Sequence, residues 1–137
     1  MKILLVNKYF NMHGGSETYF FGLADLLRQA GHEVIFFAMQ DEKNLPCEQS
    51  AYFVSNVEFN GELTAAQKLK AAFRMVYSFE AKKKISALIE KEKPDIIHIN
   101  LFHRVLTASI VDAAKKRGIP VVFTMHDLNC VCPNHVM

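Results

Sequence analysis

Four short apolar runs constrain the fold of this chain more than any other feature. Lys2 to Val6, Val34 to Met39, Ile96 to Ile99 and Val121 to Met125 are rich in Val, Ile and Phe and are bounded by polar or turn-forming residues. A strand covered by helices on both sides reads as such a run, because neither of its faces can be polar. Between the first two runs, Phe20, Leu23, Ala24 and Leu27 recur at the spacing of one helix face. Ser16 is the expected N-cap of that helix, which runs to about Ala30, and Gly31 is its left-handed stop. Ala65 to Lys93 is helical by composition, with a break expected near Ser78, and Pro94 ends it. Thr107 to Arg117 forms a further helix with Ile110, Ala113 and Ala114 inward, closed by Gly118. Strands alternating with helices of these lengths specify an α/β fold: a Rossmann-like open parallel sheet with helices on both faces. Residues 40–63 are less periodic. Asn44, Pro46 and Asn60-Gly61 mark turns, and Ala51 to Val54 is expected as a short strand.

The length of 137 residues suits one domain. Half of the residues are hydrophobic and 22% are charged, which excludes a disordered chain. A net charge of +2 is too small to point to nucleic acid. The first apolar run stops at Asn7-Lys8, too short for a signal sequence, and no run approaches the roughly 18 apolar residues of a spanning helix. Three cysteines, Cys47, Cys130 and Cys132, do not make a secreted disulfide framework, so cytoplasm is the expected compartment. The chain stops at Met137 in a loop-like segment directly after its most reactive residues, as expected of a truncated lobe.

In open parallel sheets, ligands sit beyond the carboxyl ends of the strands. Three segments lie there. The first contains Gly14-Gly15, where a helix start can offer backbone N–H groups to a phosphate or simply make a tight turn. Neither the dinucleotide fingerprint nor a P-loop is present. The second runs from Asn100 to Arg104 and brings Asn100 and His103 to the cleft, as lining or as solvated loop residues. The third opens with His126-Asp127. A strand-end histidine can donate, accept or take up a proton near neutral pH, or be satisfied by backbone groups. His98, inside a buried strand, reads as a core histidine. His126, Cys130, Cys132 and His135 cluster, but C-x-C with flanking histidines does not match the paired spacing of structural zinc sites, so no metal is expected. Lys68, Lys70, Arg74, Lys82, Lys83 and Lys84 interleave with Leu69, Phe73 and Val76 over the helical stretch 66–92. That pattern suits either the solvated face of a sheet-covering helix or peripheral contact with an anionic membrane.

Taken in order, these segments resemble glycosyltransferase family 4, also called group 1. The matching residues are Lys2 to Val6 with Gly14-Gly15-Ser16-Glu17, then Gly31-His32-Glu33-Val34. They continue with Tyr77 to Ala81, Lys93 to Asn100, Gly118 to Asp127, and Val131 to Asn134. The resemblance implies a GT-B fold of two Rossmann-like lobes, of which residues 1–137 are the N-terminal, acceptor-side lobe, incomplete at its end, with the donor-binding lobe absent. It implies a retaining transfer of a sugar from a nucleotide-sugar donor (a UDP- or GDP-sugar) to a glycan or lipid acceptor, without metal or cofactor. By the same resemblance, Gly14 and Gly15 fall to the donor diphosphate, His126 to the catalytic centre and Asp127 to the acceptor side, where Asn100 and His103 are expected as well. Two other classes remain open on the residues: a non-catalytic Rossmann-like module binding a small anion, and a flavodoxin-like or dinucleotide enzyme, which the missing glycine fingerprint disfavours.

Overall fold

The computed structural model describes residues 1–56 and 64–126. Four strands, β1 (Lys2–Val6), β2 (Glu33–Phe37), β3 (Ile96–Ile99) and β4 (Val121–Phe123), form one sheet in the order β2-β1-β3-β4. Every pairing is parallel. Val6 lies opposite Phe37 on one side and Ile99 on the other, and Ile99 lies opposite Phe123. The helices are α1 (Gly15–Gln29), α2 (Ala65–Val76), α3 (Phe79–Glu92) and α4 (Ser109–Lys115).

The pleat divides each apolar run between two cores, because successive side chains of a strand point to opposite faces. Leu4, Val6, Ile35, Phe37, Ile97 and Ile99 pack with Ile85 and Leu88 of α3 and Ile110 and Ala114 of α4. Ile3, Leu5, Val34 and Phe36 pack on the other face with Phe20 and Ala24 of α1. Over β1 and β2 both faces are covered, so those runs read as continuous, whereas β3 alternates in burial and β4 leaves Val122 exposed. The loop after β1 is pinned by Phe10, which is buried in edge-on or tilted contact with Phe20, Phe21, Phe36 and Phe53. That anchor fixes where the Gly14-Gly15 turn begins.

The expected helix stops hold. Gly31 and Gly118 take positive φ of 84° and 68°, and Lys93 ends α3 in the left-handed region just before Pro94. The break near Ser78 also holds and has a cause. Ser78 caps α3, its hydroxyl accepting from the Ala81 N–H at 3.1 Å, while its own N–H donates to Thr107 Oγ1 at 2.9 Å.

Other expectations are corrected. Ser16 is not the cap of α1. The cap is Gly14, in extended backbone and without a side-chain hydrogen bond, and Ser16 lies inside the first turn. The strand expected at Ala51 to Val54 reduces to a single bridge, Met39 to Val54, because Glu48–Tyr52 winds as a 3-10 helix instead. The helix expected from Thr107 to Arg117 is shorter at both ends. Thr107 stands at φ 58°, outside helical geometry, with its hydroxyl donating to Ser109 Oγ at 3.0 Å. β4 ends at Phe123 rather than Met125, since its partner β3 ends at Ile99.

Candidate functional site

The chain runs from β1 to β2 on one side, then crosses to β3 and β4 on the other, so the sheet changes direction between β1 and β3. The carboxyl ends of two such strands open a crevice where ligands of this architecture bind. Asn7 follows β1 and Asn100 follows β3, at positions continuing the Val6–Ile99 register. Asn100 extends that ladder by one bond, its N–H donating to Val6 O at 2.8 Å. Both asparagines are fully buried.

Each holds a neighbour. Asn7 Nδ2 donates to Tyr9 O at 2.8 Å and to Glu17 Oε1 at 3.2 Å. Glu17 is buried in the first turn of α1, and the Ser16 hydroxyl donates to its Oε2 at 3.0 Å. The carboxylate lies directly beneath the glycine turn: a Cβ placed on Gly14 would meet Glu17 Oε2 at 3.5 Å, an ordinary contact. A Cβ on Gly15 would meet nothing within 4 Å. Neither residue has a positive φ, so the fold itself does not require glycine at these two places. What the absent side chains leave clear is the approach to the helix start, where backbone N–H groups and the helix dipole favour an anion.

Asn100 Oδ1 lies 3.0 Å from His126 Nε2. The His126 ring also meets the Tyr19 ring edge-on, with centroids 4.9 Å apart. Tyr19 stands on α1 roughly 6 Å along the axis from Gly15, about one helical turn, and its ring brings α1 into contact with His126. His98 lies on the neighbouring stretch of β3, its Nε2 sharing a 2.7 Å hydrogen bond with Thr124 Oγ1. Burial, helped by the proximity of His126, holds its imidazole below the usual histidine range, in keeping with a neutral histidine at pH 7. The expected core placement of His98 is corrected, since the residue is half-buried and lies outside both core clusters, and only the expectation of a neutral ring fits.

His103 is half-buried in the loop after β3, its ring tilted against Phe102 at 4.4 Å. Asp127, Cys130, Cys132 and His135 lie outside the described residues. The residues that reading the sequence missed are Asn7, Glu17 as a buried carboxylate, and Tyr19. Only Glu17 left a local signal, an acidic residue at the third helical position after a Gly-Gly start. Beyond β2, an open depression of about 910 Å³ is lined by residues including Asp41, Lys43, Asn44, Ser50 and Ser55.

Comparison with known proteins bears on this geometry. No curated protein matches the sequence. Among solved structures, MurG of Acinetobacter baumannii matches with a TM-score of 0.57 and 19% identity over 92% of this chain and 35% of that one. The glycosyltransferase VinC, solved in complex with DTDP, matches with a TM-score of 0.53 and 20% identity over 91% of this chain and 34% of that one. At such identities the likeness is one of fold, and this chain spans about a third of the length of either structure. The family model Glycosyltransferase Family 4 matches residues 13–131, a stretch that holds the glycine turn, Asn100, His126 and three of the four strands, and this chain belongs to that family.

Proposed function

We propose that this chain is the acceptor-side, N-terminal lobe of a retaining glycosyltransferase. The enzyme takes a sugar from a nucleotide-sugar donor and passes it to a glycan or lipid acceptor of the kind used to build cell-envelope polysaccharide. What supports the reading is that the Gly14-Gly15 turn follows β1 and His126 follows β4 at the same end of a parallel sheet, with His126 in contact with Tyr19 of α1 and with Asn100 after β3. The bound DTDP of VinC supports a nucleotide-linked donor, and a UDP- or GDP-sugar is our choice.

The chemistry follows from charge. Breaking a sugar–diphosphate bond places positive charge on the sugar and negative charge on the leaving phosphate. Preorganised N–H groups at the Gly14-Gly15 turn stabilise the developing negative charge without having to reorient. His126, with one ring nitrogen engaged by Asn100, has the other to offer to a sugar hydroxyl, and acts by orienting the sugar rather than as a general base. Asn100 lies beneath the site, whereas Asp127 and His103 are assigned to the acceptor side. The donor-binding lobe supplies the remaining contacts, so this lobe alone positions no donor.

The test is sugar transfer from radiolabelled UDP- and GDP-sugars, assayed with this chain and with the full-length protein. Turnover only by the longer protein is expected, and turnover by the 137 residues alone would contradict the lobe assignment. Tight nucleotide binding by this chain without transfer in either form would favour the non-catalytic module.

Among the described residues, no helix is long and apolar enough to cross a membrane. Peripheral contact has more support. Leu69, Phe73 and Val76 on α2 and Phe79 at the start of α3 are 61%, 69%, 77% and 77% exposed, with Lys68 and Lys83 exposed beside them. An apolar stripe flanked by cations suits the interface of an anionic membrane, and we place the protein in the cytoplasm against the inner membrane face.

A further inference from the structure

We propose that Asn100 is a positioning residue for His126, fixing its imidazole as the Nε2–H tautomer and presenting Nδ1 to the crevice as a hydrogen-bond acceptor for a hydroxyl group. The proposal deepens the transferase reading and rests on it for the catalytic consequence, whereas the tautomer is a property of this chain alone.

The main chain sets the position of Asn100. Its N–H is engaged by Val6 O, so the side chain starts from a fixed point of the sheet. An amide oxygen can only accept, so the ring nitrogen 3.0 Å from Asn100 Oδ1 carries a proton. A neutral imidazole protonated there has its lone pair on Nδ1. The other end of the amide, Nδ2, makes no hydrogen bond among the described residues, so the side-chain polar contact of this buried residue goes to His126. Among the described residues the Nδ2 donor of this fully buried amide is unsatisfied, a cost to stability that argues the residue serves the histidine rather than the core.

Tyr19 supplies the second restraint. Its ring meets His126 at an interplanar angle of 65°, and α1 carries it. Held between a sheet-anchored amide and a helix-anchored ring, the imidazole has little rotational freedom. The chemistry of the partner matters as well. A carboxylate in place of Asn100 would draw His126 toward imidazolium and remove the acceptor at Nδ1. An amide orients the ring without adding charge. The group that Nδ1 is then built to meet is a neutral O–H donor, such as a sugar hydroxyl.

Nitrogen-15 NMR of the histidine-labelled chain tests the tautomer directly, with the His126 signals identified by their loss in His126→Gln. At about pH 8, a protonated Nε2 and an unprotonated Nδ1 are expected in roughly nine-tenths or more of the molecules. Asn100→Leu, close in volume but without an acceptor, is expected to give a mixture of tautomers. Asn100→Asp, an acceptor of the same shape, is expected to keep the proton on Nε2 while its charge adds a second proton at Nδ1 in part of the molecules. A wild-type spectrum showing Nδ1–H, or a folded Asn100→Leu with an unchanged spectrum, overturns the proposal. The wild-type spectrum decides the matter by itself if Asn100→Leu does not fold. In the full-length protein, Asn100→Leu is expected to lower kcat about 10- to 100-fold, with the donor KM changed less than about 2-fold. A loss carried in KM instead overturns the catalytic consequence. The NMR arm needs no transfer activity, so failure of the tautomer and failure of the transferase reading give different results.

Discussion

Neither glycine of the α1 start adopts a conformation that demands glycine, and Gly15 has open space where a side chain would stand. Folding and ligand approach therefore place opposite requirements on that residue. Gly15→Ala is expected to raise stability by about 0.4–1 kcal/mol, because alanine lowers the entropy of the unfolded chain. In the full-length protein the same methyl group is expected to cut sugar transfer at least about 10-fold by crowding the donor phosphate. Urea denaturation and a transfer assay on one preparation check both signs, and unchanged transfer would count against the phosphate role. Asn7 poses a different question. Its amide donates to the buried Glu17 carboxylate, so Asn7→Ala leaves that carboxylate without its amide donor. A loss of about 1–3 kcal/mol is expected, read from the shift in the urea midpoint at constant slope.

At the scale of elements, the junction between α2 and α3 does most to organise the helical layer. Glu80, in the first turn of α3, accepts from the Ser55 N–H at 2.9 Å and hydroxyl at 2.7 Å. It also pairs with Lys84 at 3.2 Å and with Arg74 of α2. Burial pushes its carboxyl up, but the two Ser55 bonds, Lys84 and Arg74 outweigh it and hold the group below its ordinary value of 4.5. A depressed folded-state value means that this stabilisation is complete above pH 4.5 and fades as the pH falls through the lower, folded-state value. Glu80→Gln is therefore expected to cost about 1–3 kcal/mol near pH 7 and to flatten the acid limb of stability below about pH 4.5, measured by denaturant midpoints across that range. These contacts also occupy much of the basic charge that the sequence offered to a membrane. Arg74 and Lys84 are engaged by Glu80, and Lys82 donates to the Tyr77 hydroxyl. The apolar stripe should then dominate membrane contact. Replacing both Phe73 and Phe79 by Ser is expected to reduce binding to vesicles containing anionic lipid by about 10-fold or more in co-sedimentation. Raising the salt should weaken binding by a smaller factor.

Across the whole molecule, β4 is an outer strand whose only partner among the described residues is β3, and Val122 and Met125 on and beyond it are 45% and 58% exposed. An open edge with apolar side chains invites pairing with another chain. Concentration-dependent association is expected in sedimentation velocity, with Val122→Lys suppressing it. The order of elements was legible because it rests on local physics. A run such as Lys2 to Val6 has no polar face to expose, the α1 face repeats at helical spacing, and Gly31, Gly118 and Pro94 stop their elements through their own backbone limits. Gly14, Gly15, Asn100 and His126 could be assigned to one end of the sheet for the same reason, since the carboxyl ends of parallel strands share an edge. Element ends were less legible wherever a distant partner decided them. Thr107 is drawn out of helical geometry as its hydroxyl meets Ser78, and β4 stops where β3 gives it nothing to pair with. The pairing of Asn100 with His126, the bond from Asn7 to Glu17, and the meeting of Tyr19 with His126 join residues far apart in the chain or on different elements. The chain by itself determined which segments become strands and helices, because those choices are made within a few residues. Only the tertiary structure decided which side chains face each other across the crevice, because strand order and register bring together groups that no spacing along the chain relates.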